Sequence, residues 1–507
     1  MTTTTVPAAG PPGPAINQAG TTAADQVLAL LVWTRDRLAP GPHRTQVEQI
    51  IDRLQGPLRV AIAGRVKAGK STLLNALVGE RLAPTDAGEC TRLVSRYHHG
   101  PSYQVSAHLN DGGVQQVPFR RDDGALRIQL GNLAESQVRA LDIAWPSSAL
   151  SSLTLIDTPG LASINDENSR RTRDFLEPQR EQAPEADAVI YLMRHLHRSD
   201  VAFLDAFMDR SVASSSPVNS VALLSRADEI GAGRLDAMDS AARIADRYRS
   251  NQQVRGLAAN VLPVAGLLAE TGLTLREDEA AAIRTVAGEP DELVDDMLLS
   301  AEQFCDPESG ELTVEIRRNL LDRLGLYGVR LLVTDVRAGR VATASEMAPR
   351  LVEASGLQAL RRVLDEHFLP RARILQARTA LAATRSLVPH LRVFESRVAD
   401  DLERGAERIA ASAVEFARLR AANLVAADGI RLADHEREEL QRLFLSPTAA
   451  RALGIDGSAP AEAIQAAALA TIQRWRDRAN DPLADAATIE VCEAAARTGE
   501  SFYVQFT

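Results

Sequence analysis

The short apolar run Arg59–Ala63 ends without a spacer on Gly-Arg-Val-Lys-Ala-Gly-Lys-Ser, residues 64–71, and the chain continues as Thr-Leu-Leu-Asn-Ala-Leu-Val. A strand that turns through glycines straight into a helix is a restrictive arrangement. The glycines let backbone N–H groups curl around an anion, and the helix N-terminus adds partial positive charge. The spacing is that of a phosphate-binding loop, with Gly64, Arg65, Val66, Lys67, Ala68, Gly69, Lys70, Ser71 and Thr72 as the expected cradle. Lys70 is expected on the β/γ oxygens and the Ser71 hydroxyl on Mg²⁺. Of 57 basic residues only Lys67 and Lys70 are lysines. Both fall inside this loop, where a compact ammonium suits phosphate better than a planar guanidinium.

Such a loop needs a parallel sheet around it, and the chain supplies candidates. Leu58–Ala63, Leu153–Ile156, Ala188–Met193, Val221–Leu224 and Val261–Val264 are brief and nearly unbroken in apolar residues, as strands buried on both faces are. Ser71–Val78 and Leu235–Arg249 read as helices between them. Tyr103–His108 and Val114–Phe119 flank Asn110–Gly113 as an antiparallel hairpin. The alternation predicts an α/β P-loop domain with a doubly wound, mostly parallel sheet.

Three further segments complete a nucleotide site. In Leu-Ile-Asp-Thr-Pro-Gly, Asp157 at a strand end is expected in the Mg²⁺ shell and the Gly160 N–H at the γ-phosphate. Ser225-Arg226-Ala227-Asp228 resembles the guanine-reading box Asn/Thr-Lys-x-Asp. Asp228 would accept from the two guanine N–H donors that adenine lacks, and the Arg226 stem would lie over the base. Ser225 stands where Asn or Thr is usual. Between these elements Thr91, preferred to Thr85, is expected to reach the Mg²⁺ and γ-phosphate in the GTP-bound state. After the last strand, Pro263–Gly266, with Ala265 and Gly266, is placed against the base.

A net charge of -10 argues against a broad grip on nucleic acid, so no nucleic-acid partner is expected. Cys90, Cys305 and Cys492 lie far apart without pairing or metal-ligand spacing, which fits a reducing cytoplasm. No run approaches the ~18 apolar residues of a spanning helix, which leaves peripheral membrane contact. Residues 1–21 read as a disordered leader without a signal peptide, and Asp25–Leu38 and Thr45–Leu54 as helices. No strand candidate follows Pro370 until the last few residues. Leu391, Phe394, Val398 and Leu402, then Ile409, Ala413 and Phe416, and later Ile464, Ala468, Ile472 and Trp475, recur at helical steps and predict an all-α bundle. Leu443–Ile455 is its one apolar, turn-containing candidate for a lipid tip, and interhelical packing is the better reading of it.

Together these segments resemble the GTPase domain of the dynamin superfamily. The resemblance is closer to the bacterial dynamin-like proteins of the mycobacterial isoniazid-inducible operon, through Ile62–Thr72, Ser225–Arg234 and Ser355–Arg361. It implies GTP and GDP as ligands with Mg²⁺, a GTPase domain over residues 57–370, neck helices at 22–56 and a helical neck and trunk at 371–507. It implies a homodimer through the GTPase domains and peripheral lipid contact at the inner face of the plasma membrane. Leu161 stands where Ras-like switches carry Gln, so Lys67 is either an internal cationic finger acting on the transition state or a solvent-facing side chain. Two other functions stay open: a regulatory partner of a sibling dynamin-like protein, and a ribosome- or RNA-linked GTPase, which the acidic balance disfavours.

Overall fold

The computed structural model describes residues 22–83, 93–122, 125–158, 185–195, 217–251, 254, 258, 260–308, 310–426, 430, 432–446 and 448–506. Eleven strands are found among them: β1 Leu58–Gly64, β2 Val94–His99, β3 Gln104–Leu109, β4 Val114–Gln116, β5 Phe119–Asp122, β6 Ala125–Ile128, β7 Val138–Trp145, β8 Leu153–Asp157, β9 Ala188–Met193, β10 Ser220–Ser225 and β11 Val261–Val264. Nine form one sheet in the order β11-β10-β9-β1-β8-β2-β7-β3-β4. From β11 to β8 every pairing is parallel, with Gly64 opposite Leu192 and Ile62 opposite Asp157. The P-loop strand therefore lies between β8, which ends on Asp157, and β9, with β10, the strand that runs into Ser225–Asp228, one place further along the sheet.

Period-2 alternation sends β1 side chains to both faces. Val60 and Ile62 join a core with Leu73, Leu74 and Leu77 of the helix Lys70–Val78 and with Leu357 and Leu360 of the helix Leu357–Val363. Ala61 and Ala63 join Val189, Tyr191 and Ala222 against Ala245 of the helix Ala237–Ser250. Helices on both faces make the domain doubly wound.

The β3–β4 hairpin forms as expected, but β4 stops at Gln116 and Phe119 opens a separate ribbon with β6. Strands β2 and β7 had no expectation. Their Arg96, His98, Arg139 and Asp142 break the apolar run, and the charges are satisfied across the sheet, as in the Arg96–Asp142 pair at 3.3 Å. The first helix begins at Ala23, earlier than its apolar stripe, because Thr22 and Asp25 form a capping box. The second begins at Pro42, where the missing N–H costs nothing.

Helices Ala23–Arg35 and Pro42–Gln55 pack on Ala372–Phe394 and Ser396–Ser412 around Leu30, Ile51, Leu381 and Leu402. The stripe from Leu391 to Leu402 is not continuous. The chain turns a corner at Glu395, with backbone φ -136° and ψ 60°, and Phe394 is 73% exposed. A second bundle, from Val414–Ala426 to Ala486–Gln505, encloses Ile464, Ala468 and Trp475. Its last helix runs through Gln505, so the terminal apolar residues are helical as well. Leu443, Phe444 and Ala452 are buried in this bundle and Ile455 packs against it, in accord with interhelical packing over a lipid tip.

Candidate nucleotide-binding site

At the carboxyl end of β1 the backbone leaves the sheet through Gly64, where φ is 150°. A Cβ there would lie 2.5 Å from the Leu192 carbonyl oxygen, so only glycine lets the loop pass β9. Arg65, Val66 and Lys67 stand exposed at the crest, and Lys67 has a positive φ of 62°. Gly69, in the left-handed region, starts the helix Lys70–Val78 without a side-chain cap. Its first N–H groups are thus left to an external acceptor.

Lys70 is buried at the base of the loop, and its Nζ reaches the Arg65 carbonyl only at 3.4 Å. Burial lowers its pKa and Asp157 opposes that shift. Ser71 Oγ donates to Asp157 Oδ2 at 2.9 Å, while buried Asp157 Oδ1 has no hydrogen-bond partner. Burial raises the Asp157 pKa against the pull of Lys70 and Ser71. A carboxylate with one buried oxygen unused, beside a serine hydroxyl and behind a lysine, is a donor set that suits a hard cation bridging to phosphate. Thr91 and Gly160, like Thr85 and Leu161, lie outside the described residues.

Next to the loop a pocket of about 240 Å³ is lined by Ala68, Gly69 and Thr72, by Ser225, Arg226 and Asp228, and by Gly266. Pockets that enclose a whole small ligand run to roughly 300–1,000 Å³, so this one has room for one end of such a ligand beside the open loop. Asp228 is buried, and desolvation chiefly pushes its carboxyl up to about 6. Arg226 has left-handed backbone, and its guanidinium pairs with Glu229 at 2.6 Å. Ser225 Oγ donates to the Met193 carbonyl at 3.3 Å, tying the box to β9. Gly266 reaches the pocket wall. Ala265 instead is buried, its N–H bonded to the Ser355 carbonyl at 2.9 Å, in the stretch Ser355–Arg361.

The structure thus brings together Gly64–Thr72, Asp157, Ser225, Arg226, Asp228 and Gly266. Sequence reasoning missed Leu267 and Asp322, which also line the pocket. Leu267 adjoins an expected residue and was within reach. Asp322 sits on the helix Val314–Arg337, and no motif spacing points to it.

The model of the dynamin family matches residues 60–213. Isoniazid-induced protein IniC of Mycobacterium tuberculosis (strain ATCC 25618 / H37Rv) is 39% identical over 467 residues, which cover 91% of this chain and 93% of that protein. A bacterial dynamin-like protein of Nostoc punctiforme is 33% identical over 127 residues, 23% of this chain and 18% of its own length. A solved structure from a study of an oligomerised bacterial dynamin pair aligns at 14% identity and a TM-score of 0.30, over 84% of this chain and 79% of that one. A P-loop on a doubly wound sheet, a dynamin-family match over residues 60–213 and 39% identity to IniC over 91% of the chain lead to one conclusion: the chain belongs to the IniC family of bacterial dynamin-like GTPases.

Proposed function

We propose that this chain binds and hydrolyses GTP with Mg²⁺ at the Gly64–Ser71 loop, and couples turnover to dimerisation of its heads and to membrane remodelling at the inner face of the plasma membrane. The observation that carries the nucleotide part is the unused buried Oδ1 of Asp157, beside Ser71 and Lys70. Lys70 neutralises the β/γ oxygens, and the uncapped N–H groups from Gly69 onward hold the β-phosphate. Ser71 and Asp157, with Thr91, hold the Mg²⁺, which supplies charge neutralisation between the terminal phosphates when bound. Asp228 accepts from guanine, the Arg226 stem covers the base, and Gly160 donates to the γ-phosphate.

Lys67, exposed with its backbone already turned, acts in this reading as the internal cation on the transition state. Lys67→Ala then lowers turnover on the order of 10³-fold with nucleotide affinity nearly unchanged; equal loss of both removes Lys67 from the chemistry. The decisive measurement is turnover of GTP against ATP, with and without anionic liposomes, using Lys70→Ala as the blank. GTP-selective turnover absent from the blank is expected, and no turnover of either nucleotide sinks the assignment.

In this reading residues 57–370 are the head, and 22–56 join 371–507 as neck and trunk. The corner at Glu395 supports the membrane part. Val393 and Phe394 are 75% and 73% exposed there, and His43 packs on Phe394 with ring centroids 5.5 Å apart. An exposed apolar pair at a helix corner suits shallow contact with a bilayer surface. Paired Ser substitutions at 393 and 394 should abolish liposome flotation and leave basal turnover alone; unchanged flotation rejects this corner as the contact.

A regulatory role toward a sibling dynamin-like protein is the second reading, favoured by the altered box in which Ser225 is spent on β9. Negligible turnover alone, raised on mixing with the sibling, would select it.

A further inference from the structure

The helix Val314–Arg337 is fastened to the base box. Gly325 interrupts it with a φ of 62°, and a Cβ there would lie 3.4 Å from Asp228 Oδ2, so this backbone forms the wall against which the Asp228 carboxylate rests. Arg330, on the same helix, donates to the carbonyls of Ala232 at 2.8 Å and Gly233 at 2.6 Å, and also to Leu298 at 2.8 Å. Asp322, three residues before Gly325, is carried by this clamp to the pocket that holds Asp228. Glu229, the other acidic residue there, is engaged by Arg226 at 2.6 Å and Arg194 at 3.6 Å. Asp322 is exposed and has no ion-pair partner among the described residues.

The recognition edge of guanine presents N1–H and an exocyclic amine with two N–H groups. A single carboxylate takes N1–H and one amine hydrogen, which leaves one donor unmet. Resting on the guanine-nucleotide reading above, we propose that Asp322 is a second guanine-reading residue, accepting from the exocyclic 2-amino group. It would come from a helix beyond residues 60–213, the segment that matches the dynamin family.

The test compares GDP with inosine diphosphate, which lacks only the 2-amino group, by equilibrium titration of the full chain. The wild type should prefer GDP. Asp322→Ala should weaken GDP about three- to tenfold and leave inosine diphosphate within about twofold, the loss expected for one exposed charge-assisted hydrogen bond. Asp322→Asn, whose amide oxygen still accepts, should retain part of the preference. Equal weakening of both nucleotides, no change in either, or a wild type that does not distinguish them overturns the proposal. If the wild type distinguishes neither nucleotide because it binds neither, the guanine-nucleotide reading itself falls and takes this inference with it.

Discussion

Asp157 and Glu185 are two carboxylates at the same 8% exposure in the same domain, and their environments push them in opposite directions. At the nucleotide end Asp157 meets one lysine and one hydroxyl, burial dominates, and its pKa is raised. Glu185 lies where the helix Pro42–Gln55 meets the sheet. Burial works against its charge there too, but Arg96, Arg139 and Arg53 outweigh it, and its pKa is lowered. Nearby Asp187 accepts from the Arg59 N–H at 2.9 Å and from Thr379 of the helix Ala372–Phe394. Glu185 thus finds its counterions within the chain and belongs to the scaffold, while burial still raises the pKa of Asp187. The nucleotide end leaves a buried oxygen without a partner and a lysine with one long contact, which is how a site completed by its ligand differs from one completed by folding.

The largest expected effect is at the ligand end. Lys70→Ala should abolish detectable GTP turnover, a loss on the order of 10²-fold or more, while the melting temperature stays level or rises because a desolvated ammonium is gone. A marked fall in thermal stability would make Lys70 scaffold and break the comparison. Glu185→Ala should do the reverse, costing about 3–5 kcal/mol in denaturant unfolding because buried guanidiniums lose their counterion. The part of this contribution due to its lowered pKa is present above the ordinary glutamate range and is lost as the pH falls through and below it.

A smaller effect belongs to Asp228. With its carboxyl near 6 in the free protein, guanine nucleotide must meet the ionised form, so GDP affinity should be flat above that pH and fall up to tenfold per unit below it. Titration from pH 5 to 8 checks this, and Asp228→Asn should remove the slope. Smallest is the response to added Mg²⁺. Added Mg²⁺ with GDP should raise the melting temperature of the wild type beyond GDP alone, by mass action, and do nothing for Asp157→Asn.

Much of this was readable before any fold was known. The five parallel strands were found within a residue or two because strands buried on both faces must be almost wholly apolar. The Gly64–Ser71 loop and the Ser225–Asp228 turn were legible because their backbone turns demand particular residues at fixed spacing. The Glu395 corner was not found. Leu391, Phe394 and Val398 keep helical steps across it, and periodicity is blind to a one-residue break. Strands β2 and β7 escaped because their charged residues are paid for by partners on neighbouring strands, which no local window contains.

The amino-acid sequence alone determined the nucleotide-binding core, since each of its parts is a local pattern: glycines where the backbone must bend, and a lysine, a hydroxyl and carboxylates at strand ends. The tertiary structure alone decided which charges are left incomplete. It set Asp157 against a single lysine and Glu185 among arginines, buried Ala265 in the core, and brought Asp322 to the pocket that Asp228 lines. Those outcomes depend on desolvation and on neighbours distant along the chain, and neither quantity exists until the chain has folded.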